Sequence, residues 1–200
     1  DDNNLLCHFF YPEIKQFLNE KEQTKIEKEI LEFDSNNFID FEEKRKNGHN
    51  EARLSQMIRD DSVEEFIAFT TKRSISIQSA TIKPSIFECN SYLLKNENVS
   101  LIEYATFCGS IQIFKYLVFS KVELEPSLWL YSIHSQNAEM IHVLEEYKVR
   151  TPEKCGFVEC FTEAIKCHHN DFANYFKNIL ENDDEIDFKP VFKYYNINQI

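Results

Sequence analysis

The 200-residue chain sets 34 acidic against 22 basic residues, a formal net charge of -12, and is 42% hydrophobic with only 3 Gly. So acidic a surface repels phosphate, which argues against general nucleic-acid binding and against attachment to an anionic membrane. The apolar content suffices for a core, and the shortage of Gly, the usual supplier of φ > 0, predicts helices joined by short turns.

Residues 1–50 read as a helical N-terminal segment. Pro12 opens a charged helix running to about Phe33, with Ile14, Phe17, Leu18, Ile26, Ile30 and Phe33 as its apolar positions. Asp34-Ser35-Asn36-Asn37 is expected to end it, and a short Phe38-Ile39-Asp40-Phe41 segment follows. Lys44-Arg45-Lys46, set among Glu42, Glu43 and Asn47, reads as a solvated linker. The start, Asp1-Asp2-Asn3-Asn4, lacks the basic-then-apolar pattern of a secretory signal, so a cytoplasmic protein with six free thiols is expected. No run approaches the ~18 apolar residues that a spanning helix needs.

From 51 to 182 the pattern becomes short helices in pairs. Three segments align without gaps: Ile102 to Leu117, Trp129 to Leu144 and Phe161 to Phe176. Ala105, Ser132 and Ala164 match as small residues of the first helix, 27 and 32 residues apart. Ile113, Met140 and Phe172, then Leu117, Leu144 and Phe176, match as the inner face of the second helix. Gly109, Gln136 or His168 would reverse the chain between the two helices. Leu54 to Phe69 is a weaker fourth copy with a shorter turn. Such a pair cannot bury both faces alone, so copies must stack. Between the first two copies, Ser74 to Gln78 alternates like an extended piece, and Pro84 to Leu94 reads as an extra helix. Pro84, Pro126 and Pro152 each stand shortly before a helical segment. Residues 183–200 form a tail or the start of a further repeat. Its apolar end, with Ile186, Phe188, Val191, Phe192 and Ile200, is read as the mark of a fragment.

Ser100-Leu-Ile-Glu-Tyr-Ala-Thr-Phe-Cys-Gly109, followed by a second apolar helix to Leu117, is similar to the ankyrin pattern T-P-L-H-x-A with its Gly turn. Together with Ile58 to Phe66, Pro84 to Glu88, Pro126 to His134 and Glu163 to Asp171, it resembles an ankyrin-repeat-like, domain-of-unknown-function family expanded in parasitic protists. The resemblance implies an all-α, ankyrin-like α-solenoid of about four stacked helix pairs behind the N-terminal segment. It also implies an intracellular, adaptor-like role and further ankyrin repeats in cis. It supplies no catalytic residues, and the chain lacks Thr-Pro-Leu-His itself and most finger glycines.

Chemistry-bearing residues concentrate in Cys155, Cys160, Cys167, His168 and His169. A zinc site needs about four converging soft ligands, and a small zinc- or thiol-dependent enzyme is the rival reading. Against it, paired Cys-x-x-Cys knuckles are missing, Cys160 and Cys167 sit two turns apart, and the adjacent histidines diverge. Two buried thiols and a polar turn, with Asn170 or Asp171 capping the next helix, is the simpler account. His134 and His142 read as solvated or capping side chains, Trp129 as core, and Lys115 as outward-facing. Gly48, Gly109 and Gly156 are isolated, so no phosphate-cradling loop and no cofactor is expected.

The expected function is therefore non-catalytic protein–protein interaction. Lys95, Asn96, Glu97, Glu123, Glu125, Arg150 and Lys154 are the candidate partner-reading residues at the turns. The acidic balance favours a partner with a basic surface.

Overall fold

The computed structural model describes residues 7–33, 40–96, 98–151, 154–180 and 189–196; the side chains of Phe33, Lys154 and Cys155 fall outside that description. Among the described residues the fold is all-helical with no strand, as the Gly-poor composition predicts, and no helix is long and apolar enough to cross a membrane.

Two compact units emerge: residues 1–56 with 81–99, and 57–80 with 100–200. In the first lie α1 (Tyr11–Ile14), a 3-10 turn (Lys15–Phe17), α2 (Glu20–Phe33) and α3 (Phe41–Asn47). The helix expected from Pro12 to Phe33 is thus two helices. Leu18 is extended (φ -99°, ψ 144°), and Asn19 restarts the helix, its Oδ1 accepting from the N–H groups of Lys21 and Glu22. Glu22 reaches back to the Asn19 N–H at 2.9 Å, a capping box that competes successfully with continuation. The segment 34–39 lies outside the described residues.

This unit's core is Tyr11, Ile30, Phe41, Ile86 and Phe87, with Ile14, Leu18 and Ile26 against it. Lys44-Arg45-Lys46 is not a linker but the last turn of α3. Arg45 is largely buried, its guanidinium over the Phe9 and Phe41 rings and paired with Glu13 at 2.6 Å and Glu42 at 3.1 Å. Nor is Pro84 to Leu94 one helix: only α6 (Ser91–Leu94) forms, capped by Asn90. Upstream of it, Ile86 and Phe87 turn into the core and Ser85 donates to Glu51.

The division between units falls within α4 (Arg53–Arg59). The second unit continues with α5 (Val63–Lys72), α7 (Leu101–Cys108), α8 (Ile111–Phe119), α9 (Leu128–His134), α10 (Ala138–Glu146), α11 (Lys154–Lys166), α12 (Asn170–Leu180) and α13 (Lys189–Lys193). The expected extended piece at Ser74 to Gln78 is instead a turn, because Ser74 adopts φ 51° and ends α5.

One device recurs along this unit. Asp61, Gly109, Gln136 and His168 all adopt left-handed backbone, φ 49°, 72°, 52° and 59°, and each joins the two helices of a hairpin. Ser74, Lys121 and Lys148 repeat the conformation after the second helices, and Tyr195 after α13. The bond that closes such an end runs from the next N–H to the carbonyl five residues back. It appears as Ser62 to Met57, Ser110 to Ala105, His169 to Ala164 and Asn196 to Val191, all at 2.9–3.0 Å. Gly109 meets a second demand: a Cβ there would stand 3.1 Å from Asn137 Cβ.

The hairpins also touch in register. α7 contacts α9, α9 contacts α11 and α11 contacts α13, while α8 contacts both α5 and α10. Residues just past the left-handed position reach back to the preceding hairpin: Ser110 Oγ donates to the Ile58 carbonyl, Asn137 Nδ2 to Gly109 and Asn196 Nδ2 to Ile165. The Asp61 carboxylate accepts from the N–H groups of Gln112 and Ile113, both at 2.9 Å, so one turn caps the next hairpin's second helix. Ala105, Ser132 and Ala164 are fully buried, as are Leu117, Leu144 and Phe176.

Candidate functional site

The predicted partner-reading residues are at the surface wherever they are described. Lys95 and Asn96 follow α6 in the first unit and are exposed, although Asn96 Nδ2 is committed to the Tyr92 carbonyl at 2.9 Å. In the second unit Glu123, Glu125 and Arg150 are exposed. Glu123 and Arg150 occupy the same place in their hairpins, two residues past the left-handed Lys121 and Lys148. Consecutive connections therefore present opposite charges at one repeat position. Glu97 and the side chain of Lys154 lie outside the described residues.

The predicted cysteine–histidine cluster is rearranged. Cys155 has no described side chain. Cys160 is fully buried within α11, where burial, then the neighbouring Glu159 charge, push its thiol up to about 12. It is an inert hydrophobe. A thiol reagent should therefore modify exposed Cys7 and Cys89 in the native protein but reach Cys160 only on unfolding. Mass mapping of the labelled peptides checks this, and Cys160 labelling at the rate of Cys7 is the adverse result.

Cys167 is half-buried and meets a different set of partners. It follows α11 directly, its N–H still bonded to the Glu163 carbonyl at 2.9 Å, so Glu163 and Cys167 share a face one helical turn apart. His134 comes from the end of α9 and is not solvated as expected: its side chain is 5% exposed and its ring lies 5.3 Å from the Phe107 ring, nearly parallel to it. Phe107, His134 and Lys166 each stand two residues before a left-handed turn residue, so the register that aligns the hairpins also lines up these side chains.

The result is a compact polar knot. Glu163 Oε1 is 3.3 Å from His134 Nε2, and Lys166 Nζ lies 2.8 Å from Oε1 and 3.1 Å from Oε2. Cys167 Sγ is 3.8 Å from both His134 Nδ1 and Glu163 Oε1. Burial alone would raise the Glu163 carboxyl, but hydrogen bonds and charge from His134 and Lys166 outweigh it and hold it down to about 2. Burial, and then the Glu163 charge, push the Cys167 thiol up to about 11. His169 is nearby: burial, followed by His134 and His168, lowers its pKa.

The connectivity Cys167–His134–Glu163 is that of a thiol triad, yet its electrostatics run the wrong way. A nucleophilic cysteine needs a thiolate near neutral pH, whereas burial, and then the carboxylate facing it, keep Cys167 protonated. His142, the other histidine singled out, is exposed as expected and pairs with Glu145 at 3.2 Å. Trp129 is core, 2% exposed between Phe157 and Phe176. Asn170 begins α12, and its side-chain oxygen accepts from Asn196 at 3.0 Å.

Sequence reasoning missed His134 and Glu163 as partners of Cys167. For Glu163 the available signal was its four-residue spacing from Cys167. For His134 it was the repeat alignment, which places His134 and Lys166 at one position of neighbouring hairpins. Compared with known proteins, the chain matches no family model, no curated protein and no solved structure.

Proposed function

We propose that this chain is a cytoplasmic, non-catalytic scaffold: an ankyrin-like α-solenoid of about four stacked helix pairs that holds a protein partner with a basic surface. The observation that carries the reading is the recurrence of one helix–left-handed-turn–helix unit at Asp61, Gly109, Gln136 and His168. A repeated unit that hands hydrogen bonds to its neighbour produces an extended, rigid surface, which is what recognition requires and chemistry in a closed pocket does not. The exposed Glu123, Glu125 and Arg150 vary at the connections while the buried positions repeat, a division of labour between framework and reading residues. The raised Cys167 thiol counts against the rival thiol enzyme.

The test is affinity capture with the Glu123→Lys/Glu125→Lys double variant beside wild type and the outlying His142→Gln control. Partners kept by the control, lost by the double variant and weakened by salt support the reading. An identical set of captured proteins for all three forms would overturn these residues as the reading surface.

A further inference from the structure

We propose that Cys167, His134 and Glu163 form a binding site for a divalent transition-metal ion of the zinc class, which ties α9 to α11. The three side chains offer a sulfur, an imidazole nitrogen and a carboxylate oxygen, all within 4.8 Å of one another. A tetrahedral zinc ion, with bonds of about 2.0–2.3 Å, sets its ligand atoms about 3.3–3.7 Å apart. With Nε2 as the imidazole ligand, two separations are already close to that spacing: 3.3 Å from Nε2 to Glu163 Oε1 and 3.8 Å from Oε1 to Cys167 Sγ. The 3.8 Å contact of Sγ with the His134 ring is made to Nδ1, so closing the site turns the imidazole or the thiol. Sulfur and imidazole select Zn²⁺ or Co²⁺ over the oxygen-seeking Mg²⁺ and Ca²⁺. Water completes the fourth position.

The surroundings are those of a held site. Glu163 on α11 and Cys167 just after it are fixed one turn apart by the Cys167 N–H to Glu163 carbonyl bond, and the His134 ring is oriented by its face-to-face packing on Phe107. Lys166 holds both Glu163 oxygens, Oε1 at 2.8 Å and Oε2 at 3.1 Å, and Oε1 also faces His134 and Cys167. On metal binding Oε1 coordinates and Lys166 shifts onto Oε2, the outer hydrogen bond that orients a carboxylate ligand. The Cys167 proton leaves to solvent as the metal–sulfur bond forms, with no change of oxidation state. Neither Cys160 nor the surface histidine His142 belongs to the site.

Titration of the metal-stripped 200-residue chain with Zn²⁺ against a chromophoric chelator tests the site, with Co²⁺ as the spectroscopic probe. Wild type should take up one equivalent of Zn²⁺, and the Co²⁺ form should show a sulfur-to-cobalt charge-transfer band with intense visible bands of four-coordinate geometry. Cys167→Ser should abolish the charge-transfer band, and both Cys167→Ser and His134→Gln should weaken Zn²⁺ binding at least tenfold. Cys7→Ser and His142→Gln should bind as wild type. Because the His134 variant alters a packed position, a second readout uses the unaltered chain: Zn²⁺ should protect Cys167, and not Cys89, from alkylation. No uptake by wild type, or uptake that survives Cys167→Ser with its charge-transfer band intact, overturns the site. Unprotected Cys167 in the zinc-loaded chain overturns it equally.

Discussion

Leu117→Ala and Leu144→Ala should each cost ~2–5 kcal/mol of folding stability, while Lys115→Ala should stay within ~0.5 kcal/mol. Both leucines are 0% exposed and occupy the same position of α8 and α10, eight residues past the left-handed Gly109 and Gln136. Truncation removes apolar contact and leaves a cavity that two helix hairpins share, because α8 packs on α5 and on α10. The backbone adds little room for relaxation: the Leu117 and Leu144 carbonyls accept the closing bonds from Val122 at 3.1 Å and Val149 at 3.0 Å. Lys115, two residues before Leu117 on the same helix, is half-buried and not the fully outward position expected, but it lies outside the buried core. Urea unfolding of the three variants, read by far-UV circular dichroism, measures the difference. Equal midpoints for Lys115→Ala and Leu117→Ala would show that the register of the hairpins is wrong.

What the sequence made legible was the part governed by local pattern. Three gapless segments with small residues at one place and aliphatic residues at another located α7 through α12, because helical periodicity and burial repeat together. The turns at Gly109, Gln136 and His168 were legible too, although only Gly109 carries the residue that left-handed backbone favours. Gln136 and His168 adopt φ 52° and 59° without glycine, so alignment located them where turn chemistry could not. The N-terminal unit was less legible. Its apolar spacing continues through Leu18 and Asn19, and periodicity does not register that the Asn19–Glu22 capping box interrupts it. Arg45 was read as solvated because charge runs usually are; its stem and guanidinium instead cover Phe9 and Phe41, contacts set by residues more than thirty positions away in sequence for Phe9. The polar knot was half legible. Cys167 stood out by type and Glu163 stands one helical turn before it, but His134 became their partner only through the pairing of α9 with α11, a tertiary fact.

That pairing leads to the second large effect. With metal removed by chelator, Glu163→Gln should lower stability at pH 7 by about 2 kcal/mol. Breaking a fully buried pair costs about 3–5 kcal/mol, and partial solvent access at this cluster discounts it. The substitution keeps the shape of the side chain and removes the charge that faces His134 and Lys166. The pH dependence isolates the charge from the shape. In the folded chain the carboxyl sits at about 2, against its ordinary 4.5, so between those values the unfolded chain binds the proton more readily. The stabilisation is therefore fully present above about pH 4.5 and disappears as pH falls towards 2. Glu13, Glu27 and Glu29 are also held below the usual carboxylate range by Arg45, by Tyr11 with Lys15, and by His8, so wild type alone mixes several groups. Subtracting the Glu163→Gln curve from that of wild type cancels them and leaves Glu163. The difference should shrink from about 2 kcal/mol at pH 7 towards zero near pH 2. A difference that stays constant over this range would show that the side chain stabilises α9 against α11 by packing, and that its charge is not what holds His134 in place.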